Sequence, residues 1–148
     1  IPLLFHYAQR PDKSSATLRN ILAKAYSTAR NGLPDNEDMG CHSAFYICGL
    51  MGLYPMMGQD WYFLTAPAFT RTEVSLGESS RKLIIEAPKA SPAHLYIAAA
   101  NLNGKALNKA WIQHHEISDG AHITFELSTT PTTWGRDTQP PSPISSGN

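Results

Sequence analysis

Charge is scarce in this 148-residue chain. Only 16% of the residues are charged, and 12 basic and 12 acidic side chains give a formal net charge of zero. Since no run of like charge would attract a phosphate backbone or an anionic bilayer, we expect neither a nucleic-acid nor a membrane partner. Nor does any apolar run approach the roughly 20 residues of a membrane span. A weakly charged surface with many aromatic side chains is compatible with neutral, hydroxyl-rich ligands such as sugars.

Cysteine is scarce too, with only Cys41 and Cys48. Both fall on one predicted helix, where seven residues rise about 10 Å, which is too far for a disulfide. We expect two buried thiols. The chain also lacks an initiator Met and a signal peptide, and it opens on core-type residues. We therefore expect a fragment or a processed chain.

Helical periodicity dominates the first 55 residues. A short helix is predicted from Pro2 to about Gln9, with Pro11 as its interruption. Apolar positions then follow a helical stripe from residue 14 to 29, and Asn31-Gly32 supplies a left-handed stop. A second helix, from about residue 40 to 53, is apolar nearly all round and is expected to be buried on most sides. Because so few helices cannot enclose it, we infer that missing sequence or another chain completes a helical core.

Short strand patterns replace helical ones after residue 55. Branched and aromatic residues, separated by turn signals, predict strands at 61–64, 72–76, 82–87, 95–99, 109–112 and 122–127. The pair Asn103-Gly104 predicts a tight hairpin. We expect an α+β protein with helices at 1–55, a small antiparallel sheet or sandwich at 56–137, and a disordered Pro/Ser/Gly-rich tail at 138–148.

An acidic turn lies between the two helical patterns. Asp35, Asn36, Glu37 and Asp38 follow Gly32-Leu33-Pro34 and directly precede the apolar second helix. Carboxylates held at the edge of a buried core are suited to act as an acid, a base or a cation ligand. The alternative is an ordinary acidic N-cap, because Asp and Asn are common there.

The turn and several later segments resemble the glycoside hydrolase family 92 α-mannosidases. The family has a Gly-Leu-Pro-Gly-Asn-Asp/Glu-Asp-x-Gly segment that leads into an aromatic-rich helix. The likeness covers residues 1–135 in order and rests on Ile1–Ala8, Gly32–Gly40 with Ser43–Tyr46, Met51–Pro55, Tyr96–Lys105 with Trp111, Ile112 and His114, and Trp134-Gly135.

The resemblance implies a fold, an activity and partners. It implies that the chain is the C-terminal portion of a calcium-dependent, exo-acting, inverting α-mannosidase. The chain would then hold the last helices of an (α/α)₆ barrel and the β segments after them. Mannose-containing glycans are the implied substrates, and the remainder of the catalytic domain or a companion chain is the implied partner. The implied location is secreted or periplasmic.

The resemblance also implies roles for the acidic turn. Asp38 would be the general base that activates water, and Asn36 a possible helper. Glu37 and His42 are candidate substrate-binding residues, and His42 could either bond to Asp38 or cap the turn. The general acid and the main Ca²⁺ ligands would lie outside this chain, so no metal site is predicted within it.

Three residues depart from the family pattern. Asp35 replaces a glycine, which restricts the turn, and Cys41-His42 replaces Gln-Met. Two other functions stay open. One is a non-catalytic carbohydrate-binding or accessory β module with a helical lead-in. The other is a different helical-barrel glycosidase or phosphorylase, since that architecture is widely shared.

Overall fold

The structure is a computed structural model that describes residues 2–77 and 80–142. A short 3₁₀ helix spans Pro2–His6 and a second spans His114–Glu116. The two α-helices are α1 (Pro11–Ala25) and α2 (Cys41–Met51). The strands are β1 (Leu53–Pro55), β2 (Trp61–Leu64), β3 (Arg71–Ser75), β4 (Lys82–Glu86), β5 (Tyr96–Leu102), β6 (Lys105–Ala106), β7 (Trp111–Gln113) and β8 (Ala121–Ser128).

The strands form two sheets. One is antiparallel and three-stranded, in the order β1-β2-β7, and the other has five strands in the order β3-β4-β8-β5-β6. The expectation of purely antiparallel pairing is wrong at one place, because β4 and β8 run parallel. Asn103 and Gly104 both have positive φ, 50° and 80°, and join β5 to β6, which confirms the predicted hairpin.

The helix boundaries differ from the predictions at proline and glycine. Pro11 does not interrupt a helix but begins α1, where the fixed φ of proline suits the first position. Helix α1 ends at Ala25, so the predicted continuation to residue 29 and stop at Asn31-Gly32 are wrong. Position 32 requires glycine for a steric reason, because a Cβ there would lie 2.0 Å from the Ser27 carbonyl oxygen. Helix α2 ends two residues early, at the left-handed Gly52, and Leu53 starts β1.

Two apolar clusters form the core. The larger combines residues of both sheets, with Ile85, Ile123 and Phe125 from the five-stranded sheet and Ile112 from the three-stranded one. The smaller joins the helices to the three-stranded sheet and consists of Leu3, Leu18, Leu22, Trp61 and Phe63, with Tyr26, Phe45 and Tyr54 among the side chains packed against it. The expected division between a helical part and a β part falls at residue 55/56. Strands β1 and β2 pair across that point, and the division stays a prediction.

Helix α2 is not buried on most sides within this chain. Gly49 is its one buried residue, and Ile47 is 56% exposed. Leu4 and Phe5 of the first 3₁₀ helix are exposed as well. Cys41 and Cys48 are both free, as predicted, but Cys41 is exposed, so the expectation of two buried thiols is wrong for it. Much of the apolar surface of α2 is therefore left uncovered by the described residues.

Buried polar side chains hold the helices to the first sheet. His6 is 2% exposed, and its Nε2 donates to the Leu64 carbonyl oxygen at 3.1 Å. Because that carbonyl only accepts, Nδ1 accepts the Ser14 hydroxyl proton, at 2.7 Å. The Ser15 hydroxyl in turn accepts the backbone N–H of Ala66. Three parts of the fold, the first 3₁₀ helix, α1 and the end of β2, are thereby fixed together.

The C-terminal segment folds back on the first 3₁₀ helix. Pro140 is buried, the Tyr7 hydroxyl donates to the Pro141 carbonyl, and the Gln139 amide donates to the Tyr7 carbonyl. The predicted disorder from residue 138 is therefore wrong for 138–142, while its remainder, 143–148, lies outside the described residues. Neither α-helix in the described ranges has the length and apolarity needed to cross a membrane.

The buried imidazole predicts a pH dependence of stability. Burial lowers the pKa of His6 from 6.5 to about 4, so the folded state holds it neutral. The contribution of the neutral His6 imidazole to the free energy of unfolding is complete above pH 6.5 and is lost as the pH falls towards 4. Between pH 7 and pH 5, before carboxylates titrate, we expect the free energy of unfolding to drop by about 2 kcal/mol. Urea unfolding of the chain and of His6→Gln measures this drop. If the free energy of unfolding dropped equally with pH in the unmodified chain and in His6→Gln, the prediction would be contradicted.

Candidate active site

The acidic turn is an exposed loop with a defined backbone. All residues from 33 to 39 are exposed, whereas Gly32 before them is buried. The Asn36 N–H donates to Asp35 Oδ1 at 2.8 Å, the Asp38 N–H donates to the Asn36 carbonyl at 3.0 Å, and the Cys41 N–H donates to the Asp38 carbonyl at 3.0 Å. Local hydrogen bonds therefore set the path of the turn although solvent surrounds it.

The left-handed residues of this segment are Met39 and Gly40, with φ of 52° and 80°. Asp35 is not among the residues with positive φ, so the turn does not require a left-handed residue at position 35. Its side chain instead accepts the next backbone N–H, which is how Asp stabilises a turn. The replacement of glycine by Asp35 thus does not strain the backbone. The strained non-glycine residue is Met39, whose side chain is fully exposed.

Helix α2 is capped from within the turn, but not by Asp38. Its N-cap residue is Gly40, which has no side chain to offer. Glu37 Oε1 accepts the backbone N–H of Ser43, the third residue of the helix, at 3.1 Å. A carboxylate at this end also interacts favourably with the helix dipole. The alternative of an acidic cap therefore holds for Glu37, which bonds to the first turn of α2 from outside the N-cap position, and not for Asp38.

His42 is held by a tyrosine. Its Nδ1 lies 3.0 Å from the Tyr26 hydroxyl, so the imidazole bonds across to the residue after α1. Tyr26 also packs against Phe45 and Tyr46, with ring centroids 6.2 and 5.1 Å apart. Burial, with Cys41 and Glu37 nearby, raises the pKa of Tyr26. The phenol therefore stays protonated at neutral pH.

The described residues do not form a complete cation site. Within 2–77 and 80–142, no three His, Cys, Asp or Glu side chains converge in a way that would hold a metal ion. Asp35 and Glu37 each already accept a backbone N–H through one oxygen. Calcium requires six to eight oxygen ligands, so these residues alone do not fit a calcium shell.

A small cavity lies beside the turn. Its volume is about 230 Å³, and the helix residues Ser43, Tyr46 and Ile47 meet Tyr26 and Leu33 in its wall. None of the four predicted turn residues lines it. The cavity is smaller than the roughly 300–1,000 Å³ of most ligand sites. What the chain presents here is thus an open edge with exposed carboxylates.

The predicted site residues therefore differ in their local contacts. Asp35 and Glu37 bond to the backbone, and His42 bonds to Tyr26. Among the described residues, the Asp38 side chain has no hydrogen-bond partner, His42 included. The catalytic and substrate-binding roles stay predictions. Sequence reasoning missed Tyr26 because its spacing places it on the apolar stripe of α1, which hides the use of its hydroxyl.

Comparison with known families identifies most of the chain. The family model described as the glycosyl hydrolase family 92 catalytic domain matches residues 1–129. An uncharacterized secreted glycosidase of Arthroderma benhamiae is 28% identical over 134 residues, which are 89% of this chain and 17% of that protein.

Solved structures agree. A family GH92 alpha-mannosidase from Bacteroides thetaiotaomicron, in complex with mannoimidazole, is 26% identical with a TM-score of 0.89, covering 96% of this chain and 19% of that one. A family GH92 inverting mannosidase from the same organism is 26% identical with a TM-score of 0.78, covering 90% of this chain and 19% of that one. The chain thus spans about a fifth of the length of these relatives.

The capping arrangement predicts that two neighbouring carboxylates differ in their effect on stability. Glu37→Ala leaves the Ser43 N–H without its side-chain acceptor, and we expect a loss of about 1 kcal/mol in the free energy of unfolding. Asp38→Ala, the matched control, removes no side-chain bond within the described chain and should change stability by less than about 0.5 kcal/mol. Urea unfolding at pH 7 measures both. A larger loss for Asp38→Ala would contradict the assignment of the cap.

Proposed function

The chain belongs to glycosyl hydrolase family 92, of whose catalytic domain it covers a C-terminal portion, and we propose that it supplies the water-activating half of an inverting, exo-acting α-mannosidase. The proposed substrates are mannose-containing glycans. Both solved relatives named above are mannosidases, and one is called inverting. The activity would belong to the complete catalytic domain.

One observation carries the proposal: Asp38 is exposed and its carboxylate has no hydrogen bond within the described residues, while the two acidic side chains that precede it in the turn do. Asp35 and Glu37 each accept a backbone N–H and shape the turn. The backbone of Asp38 is fixed at both its N–H and its carbonyl. A general base needs this combination of a positioned backbone and a free carboxylate.

The mechanism follows from inversion. Two carboxyl groups flank the glycosidic bond, roughly 6.5–9.5 Å apart, so that a water molecule fits between the base and the anomeric carbon. Asp38 would accept a proton from that water as its oxygen attacks. A protonated carboxyl from outside this chain would donate to the leaving oxygen. Asn36 has an amide that orients water but takes no proton, which makes it a helper.

Glu37 and His42 are proposed to act on the substrate side of the turn. The Tyr26 hydroxyl holds His42 at Nδ1, which leaves Nε2 as the ring nitrogen that would bond to a sugar hydroxyl. Glu37 uses Oε1 for the cap and retains Oε2 as an acceptor. Calcium, which the family implies, is proposed to bind mainly through ligands outside this chain.

The exposed apolar surface supports the proposal of a larger domain. Leu4, Phe5, Leu33 and Ile47 are exposed on the 3₁₀ helix, the turn and α2. Exposed apolar patches mark surfaces that pack against something else. We propose that the remaining helices of an (α/α)₆ barrel cover them. A secreted location is proposed from the relative that is named a secreted glycosidase.

A second candidate function is a carbohydrate-binding module in the β half. A cavity of about 440 Å³ lies beside the β5–β6 hairpin, and Asn108, Lys109 and Glu116 contribute polar groups to it. Lys109 and Glu116 form an ion pair at 2.8 Å. The volume falls in the range of ligand sites. This function would need no contribution from Asp38.

The base assignment predicts a loss of activity without a loss of fold. In a catalytic domain that includes this chain, Asp38→Asn should lower kcat by roughly 10²- to 10⁴-fold, because the amide cannot take the proton of water. The measurement is hydrolysis of an aryl α-mannoside with thermal unfolding in parallel. Asp35→Asn, which keeps the acceptor oxygen of the turn, is the control and should retain most activity. Full activity of Asp38→Asn would rule out the base and favour the module.

The chain alone should be inactive. It contains one of the two carboxyl groups that inversion requires, so we expect no turnover of an aryl α-mannoside above the buffer blank. A sensitive fluorogenic mannoside and the pure 148-residue chain are sufficient for this assay. Turnover that disappears in Asp38→Asn would show that the general acid lies within the chain.

A further inference from the structure

His42 lies between two residues that are bonded to the acidic turn. The Asp38 carbonyl accepts the N–H of Cys41, directly before His42, at 3.0 Å. Glu37 Oε1 accepts the N–H of Ser43, directly after it, at 3.1 Å. Both bonds connect the first turn of α2 to the residues that precede it. The backbone of His42 therefore has a fixed place relative to Asp38.

Tyr26 fixes the side chain of His42 as well. The phenol oxygen lies 3.0 Å from Nδ1, and the two ring centroids are 6.1 Å apart. The phenol is itself held by two aromatic rings of α2, with Phe45 stacked on it at 6.2 Å and Tyr46 at 5.1 Å. Because packing restricts the tyrosine, its bond to Nδ1 favours one orientation of the imidazole.

The second imidazole nitrogen remains available. His42 is half-buried, and its Nε2 has no hydrogen-bond partner among the described residues. In a neutral imidazole one nitrogen donates and the other accepts. If Tyr26 donates to Nδ1, then Nε2 carries the proton and donates; if Nδ1 donates to the phenol oxygen, then Nε2 accepts. A hydroxyl group suits both states because it donates and accepts, whereas a carboxylate or an ammonium suits only one.

We propose that Tyr26 is a positioning residue for substrate binding, which holds His42 so that its Nε2 meets a hydroxyl group of the glycan. This inference rests on the proposed function, since it takes the turn around Asp38 as the place where the glycan is cleaved. A polar group whose orientation is fixed before binding loses less conformational entropy when the ligand arrives. Tyr26 thereby contributes to affinity without touching the reacting atoms.

A second bond between a tyrosine and a histidine provides a matched control. The Tyr62 hydroxyl lies 2.8 Å from Nδ1 of His114, in the β half of the chain. The N–H of Gln113, directly before that histidine, bonds to Glu116 and not to the acidic turn. Tyr62→Phe therefore removes the same kind of bond from a histidine that is not tied to the turn.

The experiment measures steady-state hydrolysis of an α-linked mannose disaccharide by a catalytic domain that includes this chain. Tyr26→Phe keeps the ring and its packing but removes the hydroxyl. We expect KM to rise about threefold to tenfold, the effect of one neutral hydrogen bond, with little change in kcat. His42→Met, which introduces the residue of the family pattern, should raise KM by at least as much. Tyr62→Phe should leave both constants unchanged.

The double variant tests whether Tyr26 acts through His42. In His42→Met the phenol has no imidazole to hold, so the addition of Tyr26→Phe should raise KM no further. A further rise would show that Tyr26 has only a structural effect, and an unchanged KM in His42→Met would show that the imidazole does not meet the glycan. Either result would overturn the proposal. The second result is decisive even if Tyr26→Phe does not fold, which thermal unfolding of each variant checks.

The experiment also separates this inference from the proposed function. Asp38→Asn tests the base through kcat, whereas Tyr26→Phe tests positioning through KM. If Asp38 is not the base, the comparison of KM values remains valid. If KM does not change in Tyr26→Phe, the positioning role is wrong and the base assignment is unaffected. Calorimetric titration with the disaccharide gives the same comparison as a ratio of dissociation constants and requires no turnover.

Discussion

The structure depends on a small number of polar bonds buried where the helices meet the three-stranded sheet. His6 satisfies Ser14 and the Leu64 carbonyl at once, and the Ser15 hydroxyl takes the N–H of Ala66. Apolar packing alone tolerates sliding, but buried donors and acceptors are satisfied in one arrangement only. These bonds fix α1 against β2. The position of α2, and of the acidic turn before it, follows from that arrangement.

Within the turn, the carboxylates that hold the backbone are not the one that stays free of bonds. The side chains of Asp35 and Glu37 accept backbone N–H groups, and the side chain of Asp38 does not. Tyr26 similarly orients His42 through its hydroxyl. The tyrosine thus links the end of α1 to α2, and the glutamate links the turn to α2. A loop in which every residue from 33 to 39 is exposed can still present one side chain in a defined place.

Local patterns in the sequence predicted much of the fold. The strand runs, the Asn103-Gly104 hairpin and the second helix agree with the structure within a few residues. The failures involve information from distant residues. The parallel pairing of β4 with β8 depends on tertiary topology, and Gly32 is required by the approach of the Ser27 carbonyl. At the site, the family motif singled out the turn. The separate roles of Glu37 and Tyr26 depend on hydrogen-bond directions that no spacing encodes.

The isolation of Asp38 from the bonds of the turn has an evolutionary consequence. Residues 33–39 are exposed, so substitutions there, except at the capping residue Glu37, change the surface of the turn while the free energy of the fold stays nearly constant. The departures at positions 35 and 41 fit such neutral drift, since Asp35 is unstrained and Cys41 is exposed. Mutational robustness is therefore concentrated in this turn, which lets a lineage alter the surface around Asp38 without first acquiring stabilising mutations elsewhere.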